Sequence, residues 1–215
     1  MIALATIFIT SFIIAFSGAM MPGPLLTVTI SESAQRGGWA GPKLIAGHAV
    51  LEIALIAGIL LGLAPLLQNE TFFIIVALAG GGIMLWMAWG MFSSLPTLEL
   101  KNEATAKRQN NIYLSGILMS LANPYWIIWW ATIGLGYILS SMKYGYIGII
   151  IFFIGHILGD LVWYSGISFA VGKGRSLFTN KVYRILVGSC AAFLVVFAVW
   201  LLYDGGTKFI VHFFS

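Results

Sequence analysis

One short pattern that pairs a histidine with a carboxylic acid occurs twice in this chain. His48 is followed four residues later by Glu52, and His156 is followed four residues later by Asp160. A glycine precedes each histidine, and most of the neighbouring residues are apolar. Because residues four apart lie on one face of an α-helix, the repeat predicts two helices that each present a polar face.

A histidine beside a carboxylic acid inside a membrane can exchange a proton or hold the ammonium group of a substrate. Both acids lie near the middle of their apolar runs, so a rise of about 1.5 Å per residue places them near the bilayer midplane. A charged residue there costs at least ~2.5 kcal/mol and needs a partner or a function. We therefore predict that His48, Glu52, His156 and Asp160 form a proton-coupling or substrate-ammonium site.

Two other interpretations of these four residues stay open. In the first, the histidines and acids hydrogen-bond across the two halves of the chain and only hold helices together. In the second, two imidazoles and two carboxylates bind a divalent metal ion as cargo. The chain has no histidine-rich or acidic loop that would gather metal ions, which counts against the second.

Two helix breaks are predicted within apolar runs, at Pro22-Gly23-Pro24 and at Asn123-Pro124. Proline removes backbone hydrogen bonds that lipid cannot replace, so broken backbone at this depth must line a cavity or be buried in protein. The N–H groups of a helix that restarts after the break suit a carboxylate. Because the breaks occupy matching places, we predict that both belong to a substrate site; the alternative, favoured for Pro124 alone, is a simple kink.

Several tryptophans follow these motifs. Trp163 lies three residues beyond Asp160, and we predict that it lines the same substrate cavity. Trp126, Trp129 and Trp130 follow the second break. They could contact an ammonium group through cation–π interactions, but packing or interfacial anchoring is the commoner role.

The composition predicts an integral membrane protein. Of 215 residues, 60% are hydrophobic and 8% are charged, against about 25% charged in soluble domains, so the expected solvent is lipid. The basic residues lie between hydrophobic runs, so we expect no nucleic-acid partner. Cys190 is the single cysteine, which excludes a Cys-Cys redox pair in the chain. His-Glu-x-x-His and Gly-x-Ser-x-Gly motifs are absent, and we expect neither an enzyme nor a cofactor.

Six apolar runs, each long enough to span ~30 Å of hydrocarbon, predict an all-α fold in a single transmembrane domain, 1–215. The runs cover residues 2–30, 42–67, 71–94, 112–139, 145–172 and 182–204. A polar connector, 95–111, separates repeat 1 (1–94) from repeat 2 (112–204), and a short tail follows at 205–215. Three helices per half is an odd number, so the prediction is two inverted three-helix repeats, an architecture common in transporters.

The distribution of lysine and arginine predicts the orientation. Nine of the eleven basic residues lie in the connectors after the first, third and fifth runs, whereas Lys143 and Lys208 lie on the other side. The positive-inside rule places the nine in the cytoplasm and both termini outside. The first charged residue is Glu32, so the N-terminal run lacks the basic region of a signal peptide and is predicted to be a retained membrane helix.

The chain resembles the LysE/RhtB-type amino-acid exporter family over nearly its whole length. The residues that carry the resemblance are Pro22-Gly23-Pro24, the glycines leading to Gly47-His48, Asn123-Pro124 with the tryptophans after it, and Gly155-His156 with Asp160 and Trp163. The resemblance implies a plasma-membrane exporter of amino acids that is driven by the proton gradient, with a homodimer as a possible assembly. The alternatives are a divalent-metal exporter and a non-transporting membrane assembly protein.

Overall fold

The computed structural model describes residues 2–98, 111–174 and 179–214. Every regular element in these ranges is helical, which confirms an all-α fold for them. The helices are α1 (Ile2–Ala19), α2 (Pro24–Arg36), α3 (Ala40–Leu67), α4 (Glu70–Ser94), α5 (Ile112–Leu121), α6 (124–141), α7 (Gly145–Lys173) and α8 (Asn180–Phe214).

Five helical stretches in the described ranges are long and apolar enough to cross a membrane. They are α1, α3, α4, the stretch Pro124–Lys173 that contains α6 and α7, and α8. In each of them no more than 39% of the apolar window is buried inside the protein. The remaining apolar surface requires lipid as its solvent, so the chain is a multi-pass membrane protein.

The six predicted spans do not correspond one to one with these five stretches. The fourth predicted run is divided at 122–123, which leaves α5 as a separate helix of 10 residues. α6 and α7 are joined by a short 3-10 turn and by Gly145, whose φ of 64° lies in the left-handed region that favours glycine. The six spans and the inverted repeat therefore stay predictions.

Both predicted helix breaks are present. α1 ends at Ala19 and α2 begins at Pro24, while α5 ends at Leu121 and α6 begins at Pro124. Proline suits the first position of a helix because its missing N–H is not needed there. The sequence therefore restarts a helix at the same kind of residue in each half.

The C-terminal segment is helical, and most of the long polar connector lies outside the described residues. α8 continues without interruption to Phe214, so residues 205–214, which were predicted as a tail, extend the last helix. Residues 99–110, most of the predicted polar connector, lie outside the described residues, as does Arg175.

The helices of the N-terminal half pack against those of the C-terminal half. α1 packs along α7, α5 along α3, and α4 along α8. Gly155 and Gly159 lie directly against the backbone of α1, while Gly47 of α3 and Gly116 of α5 lie directly against each other's helices. Gly47 and Gly155 are the glycines that precede the two histidines, so close backbone contact holds both His–acid faces in the interior.

Candidate functional site

The two His–acid pairs meet in the interior as one cluster, which we call the tetrad. Its members are His48 and Glu52 of α3 and His156 and Asp160 of α7, and none is more than 6% exposed. The structure thus joins the two predicted polar faces across the two halves of the chain.

Each histidine Nε2 in the tetrad lies between the two acids. His48 Nε2 is 2.9 Å from Glu52 Oε1 and 3.4 Å from Asp160 Oδ2. His156 Nε2 is 3.2 Å from Glu52 Oε1 and 3.4 Å from Asp160 Oδ2. Both contacts to Asp160 are therefore longer than both contacts to Glu52.

Glu52 Oε1 also accepts hydrogen bonds from two tryptophans of α6. Trp130 Nε1 donates at 3.0 Å and Trp126 Nε1 donates at 3.3 Å. An indole N–H can only donate, so Oε1 is an acceptor, and hydrogen bonds to a carboxylate are stronger than those to a neutral acid. The other oxygen, Oε2, is buried and has no hydrogen-bond partner in the described part of the chain.

The two histidines differ at Nδ1. Ser120 Oγ lies 2.7 Å from His48 Nδ1 and 2.7 Å from the Gly116 carbonyl oxygen. When the serine hydroxyl donates to that carbonyl, His48 Nδ1 must carry a proton and donate to Ser120. His156 Nδ1 is buried without a hydrogen-bond partner among residues 2–98, 111–174 and 179–214, and its ring lies 4.7 Å from that of Trp129.

A small cavity of about 40 Å³ adjoins the tetrad. Its lining comes from both helix breaks, from the aromatic residues of α6 and from the tetrad itself. The lining includes Gly23 at the first break, Leu25 and Leu26 of α2, Asn123 at the second break, Trp126 of α6 and Tyr164 of α7. The breaks and the polar cluster, predicted separately, thus border a single space.

The two breaks present different backbone groups to this cavity. Asn123 Oδ1 accepts a hydrogen bond from Tyr125 N at 3.1 Å and so caps α6. Gly23 precedes α2, and no side chain among the described residues caps that helix. The first-turn N–H groups of Leu25 and Leu26 therefore lack a side-chain acceptor, at a helix end that favours negative charge.

Ser17 joins the two breaks. Its carbonyl oxygen accepts a hydrogen bond from Tyr125 Oη at 3.1 Å, and its hydroxyl oxygen accepts one from Trp129 Nε1 at 3.0 Å. The end of α1 is thereby bonded to the start of α6, beside the cavity.

The predicted substrate-binding residues occupy different places relative to the cavity. Gly23 and Asn123 line it, whereas Pro22, Pro24 and Pro124 shape the breaks but are not in its lining. The prolines thus set the backbone path, and their neighbours face the space.

Trp163 does not line the cavity either. It packs edge to face against Phe16, with ring centroids 6.4 Å apart, and its neighbour Tyr164 lines the cavity instead. Tyr164 is four residues beyond Asp160, so it follows the same helix face more closely than a residue three beyond.

Three residues that hydrogen-bond to the tetrad are not among the predicted site residues: Ser120, Trp126 and Trp130. Trp126 and Trp130 are four residues apart just after the second break, and this spacing is a usable signal for two donors on one helix face. α6 also has a π-helical turn that begins at Trp130, a feature frequent at functional sites. Ser120 has no comparable signal, because its contact with His48 depends on how α5 packs against α3.

The arrangement fits a hydrogen-bonded carboxylate better than a metal ligand. Possible ligand atoms of His48, Glu52 and Asp160 do lie within 4.8 Å of one another. However, Glu52 Oε1 faces two indole N–H groups, which cannot give up their protons to bind an ion. A cation on that oxygen would have to displace both.

The model of the LysE type translocator family matches residues 16–205, which include both breaks and the tetrad. The chain is also 26% identical over 203 residues to the uncharacterized membrane protein YahN of Escherichia coli (strain K12), covering 92% of this chain and 88% of YahN. No solved structure matches this chain. Proteins of the matched family are transporters rather than enzymes. This chain belongs to the LysE type translocator family of membrane transporters.

Proposed function

We propose that this protein exports amino acids across the plasma membrane in exchange for protons. The observation that carries the proposal is that the tetrad and both helix breaks border one cavity. An amino acid brings one carboxylate and one ammonium group, and the cavity offers complementary groups for both.

The uncapped end of α2 is the proposed carboxylate site. The N–H groups of Leu25 and Leu26 lie in the first turn, where no intrahelical acceptor exists, and both residues line the cavity. Helix N-termini bind anions through such groups together with the helix dipole. The capped end of α6 is less suited, because Asn123 already accepts from the Tyr125 N–H.

The acids of the tetrad are the proposed ammonium site. Glu52 and Asp160 are the acidic residues among those lining the cavity. An ammonium group buried beside a carboxylate gains strong charge-assisted hydrogen bonds. A carboxylate in this cluster, with two histidines beside it, can also take up a proton.

Alternating access is the proposed mechanism. We propose two inverted three-helix repeats with both termini outside, in which 2–36 and 112–141 are spans broken by proline. The pairing of α1 with α7 and of α5 with α3 supports such a relation, because each pair joins a broken span to the His–acid helix of the other half. In this scheme the hydrogen bonds from Tyr125 and Trp129 to Ser17 close one side of the cavity and break when it opens.

Solute counterflow in proteoliposomes tests the proposal. Vesicles loaded with an unlabelled mixture of the twenty L-amino acids are diluted into each labelled amino acid, and separately into labelled Mn²⁺, Co²⁺, Ni²⁺ or Cd²⁺ with the matching unlabelled ion inside. We expect at least one amino acid to be exchanged and no metal ion. Glu70→Gln, at an exposed acid, is the matched control for Glu52→Gln, which should lose the exchange.

The alternatives give different outcomes. Metal flux without amino-acid exchange would make the tetrad a cation site for cargo. Folded protein that exchanges nothing would favour a membrane assembly role, with the tetrad as a lock between helices.

A further inference from the structure

We propose that the proton and the ammonium group of the substrate compete for Asp160, while Glu52 remains a fixed carboxylate. The inference rests on the proposed function and assigns different roles to two acids that occupy equivalent places in the sequence repeat. It follows from how many donors each acid has and from the protons on the histidines.

Glu52 is held as an anion by the donors around Oε1. Two histidine Nε2 atoms and two indole N–H groups lie within 3.3 Å of this oxygen. A proton on Oε2 would weaken these contacts, and the new O–H would have no acceptor within the described ranges. Trp126 and Trp130 are therefore positioning residues that keep Glu52 ionised.

Asp160 is held less tightly. Its contacts to His48 and His156 are both 3.4 Å, and Glu52 lies closer to each of the two histidines. Asp160 also lines the cavity, where a substrate can approach it. It is thus the acid whose partners can be replaced at least cost.

Other titratable groups face Asp160 from the helices around it. These are His48 and Glu52 of α3 and His156 and Tyr164 of α7, while Tyr125 of α6 lines the same cavity and Cys190 of α8 interacts electrostatically with Tyr164. The cavity lining from α1, α2 and α5 contains no titratable side chain. The net charge around Asp160 is therefore set by the four residues of the tetrad.

The histidine protons fix the net charge. With the Ser120 hydroxyl donating to the Gly116 carbonyl oxygen, we assign His48 a proton on Nδ1, which donates to Ser120, and a proton on Nε2, which donates to Glu52. His48 is then an imidazolium that balances the Glu52 carboxylate. His156 has no acceptor near Nδ1 in the described structure, which favours the neutral ring with its proton on Nε2. The tetrad is then neutral when Asp160 is protonated and has one negative charge when Asp160 is ionised.

This charge state makes exchange obligatory. The ammonium group of an incoming amino acid forms an ion pair with the Asp160 carboxylate, and the proton that Asp160 held leaves to water. In the opposite conformation a proton binds the carboxylate and the ammonium group departs. One proton therefore moves against each amino acid, with no change in the charge of Glu52.

Proton release on substrate binding tests the assignment. Purified full-length protein in weak buffer with a pH-sensitive dye receives a pH-matched mixture of the twenty L-amino acids, at several pH values between about 5 and 8. The matched ligand control is the same mixture after N-acetylation, which removes the ammonium groups. We expect about one proton per bound amino acid in the native protein and none with the acetylated mixture.

The two acids should respond differently to substitution. Asp160→Asn should abolish proton release, and any amino-acid binding that remains should not depend on pH. Glu52→Gln protein that still binds amino acids should still release a proton. Release that survives in Asp160→Asn but is lost in Glu52→Gln would overturn the assignment. Counterflow without proton release at any pH would also overturn it while leaving amino-acid export intact, and absence of counterflow would refute the proposed function itself.

Trp130→Phe tests the positioning role. The substitution keeps an aromatic ring but removes the N–H that donates to Glu52 at 3.0 Å, so Glu52 should begin to take up a proton. We expect the pH profile of proton release to gain a second step. Trp163→Phe is the matched control, because the Trp163 N–H has no hydrogen-bond partner in the described structure. This substitution should leave the pH profile of proton release unchanged. An unchanged profile in Trp130→Phe would contradict the role of the tryptophan.

Discussion

The two halves of this transporter place the same His–acid motif in different surroundings. On the N-terminal side, Glu52 collects four nitrogen donors on one oxygen and His48 is held at Nδ1 by Ser120. On the C-terminal side, Asp160 has two long histidine contacts and His156 Nδ1 has no partner in the described structure. A repeated motif can therefore build one site from a tightly held pair and a loosely held pair.

The helix breaks show a second difference of the same kind. Asn123 caps the helix after the second break, whereas Gly23 leaves the helix after the first break without a side-chain cap. The capped end stabilises its own helix, and the uncapped end is available to a ligand. In the proposed mechanism the first half thus supplies the free helix end that binds the substrate carboxylate, and the second half supplies a capped helix end.

Glu52→Gln is the largest expected effect, because it removes the charge from the tightly held pair. Removing one partner of a buried ion pair destabilises the fold by about 3–5 kcal/mol. Because the histidines would also lose the carboxylate beside the cavity, we expect the exchange rate of the protein that remains folded to fall to background. Counterflow measures the rate, and size-exclusion chromatography measures the folded fraction. Loss of the folded fraction alone would favour a structural lock between helices.

Gly47→Ala, in the first half, and Gly155→Ala, in the second half, should each lower the stability of the protein by a similar amount. A methyl group would collide with the backbone of α5 at Gly47 and with that of α1 at Gly155, and overpacking costs about 1–3 kcal/mol. Thermal unfolding in detergent measures the loss. Gly82→Ala is the control, since nothing lies within 4 Å of its added methyl group; an equal loss there would contradict the close packing.

Ser120→Ala should leave both histidines of the tetrad without a hydrogen-bond partner at Nδ1. His48 Nδ1 would lose its partner, at a cost of about 1–3 kcal/mol for a buried unpaired donor. We expect a lower unfolding temperature than for Ser115→Ala, in which the exposed serine hydroxyl bonds to the carbonyl oxygen of Asn111, the residue before its own helix. Equal temperatures would show that the His48–Ser120 bond does not distinguish the halves.

Tyr125→Phe should have the smallest effect. It removes one hydrogen bond to Ser17, worth about 0.5–1.5 kcal/mol, so we expect the exchange rate to change by up to about tenfold. Tyr146→Phe is the control, because Tyr146 is 79% exposed. If both variants match the native rate, the Ser17 bridge does not limit the opening of the cavity.

The sequence predicted the elements that rest on local patterns. Apolar runs predicted the membrane helices, and proline at 24 and 124 predicted the restarted helices, because their causes lie within a few residues. The spacing from His48 to Glu52 and from His156 to Asp160 predicted the polar faces for the same reason.

Features that depend on packing between helices could not be predicted in this way. The bond from Ser120 to His48, the bridge at Ser17 and the place of Trp163 outside the cavity all depend on how distant segments approach one another. The unequal donor sets of Glu52 and Asp160 belong to the same class, because the decisive donors come from α6.

Internal pH during amino-acid entry tests proton-coupled exchange at the tetrad most directly. Proteoliposomes with an internal pH dye are diluted into a pH-matched mixture of the twenty L-amino acids, without an initial pH gradient. We expect the interior to become more alkaline as amino acids enter and protons leave, and we expect no such change in Asp160→Asn vesicles. Amino-acid entry with constant internal pH, or an equal change in Asp160→Asn, would contradict it.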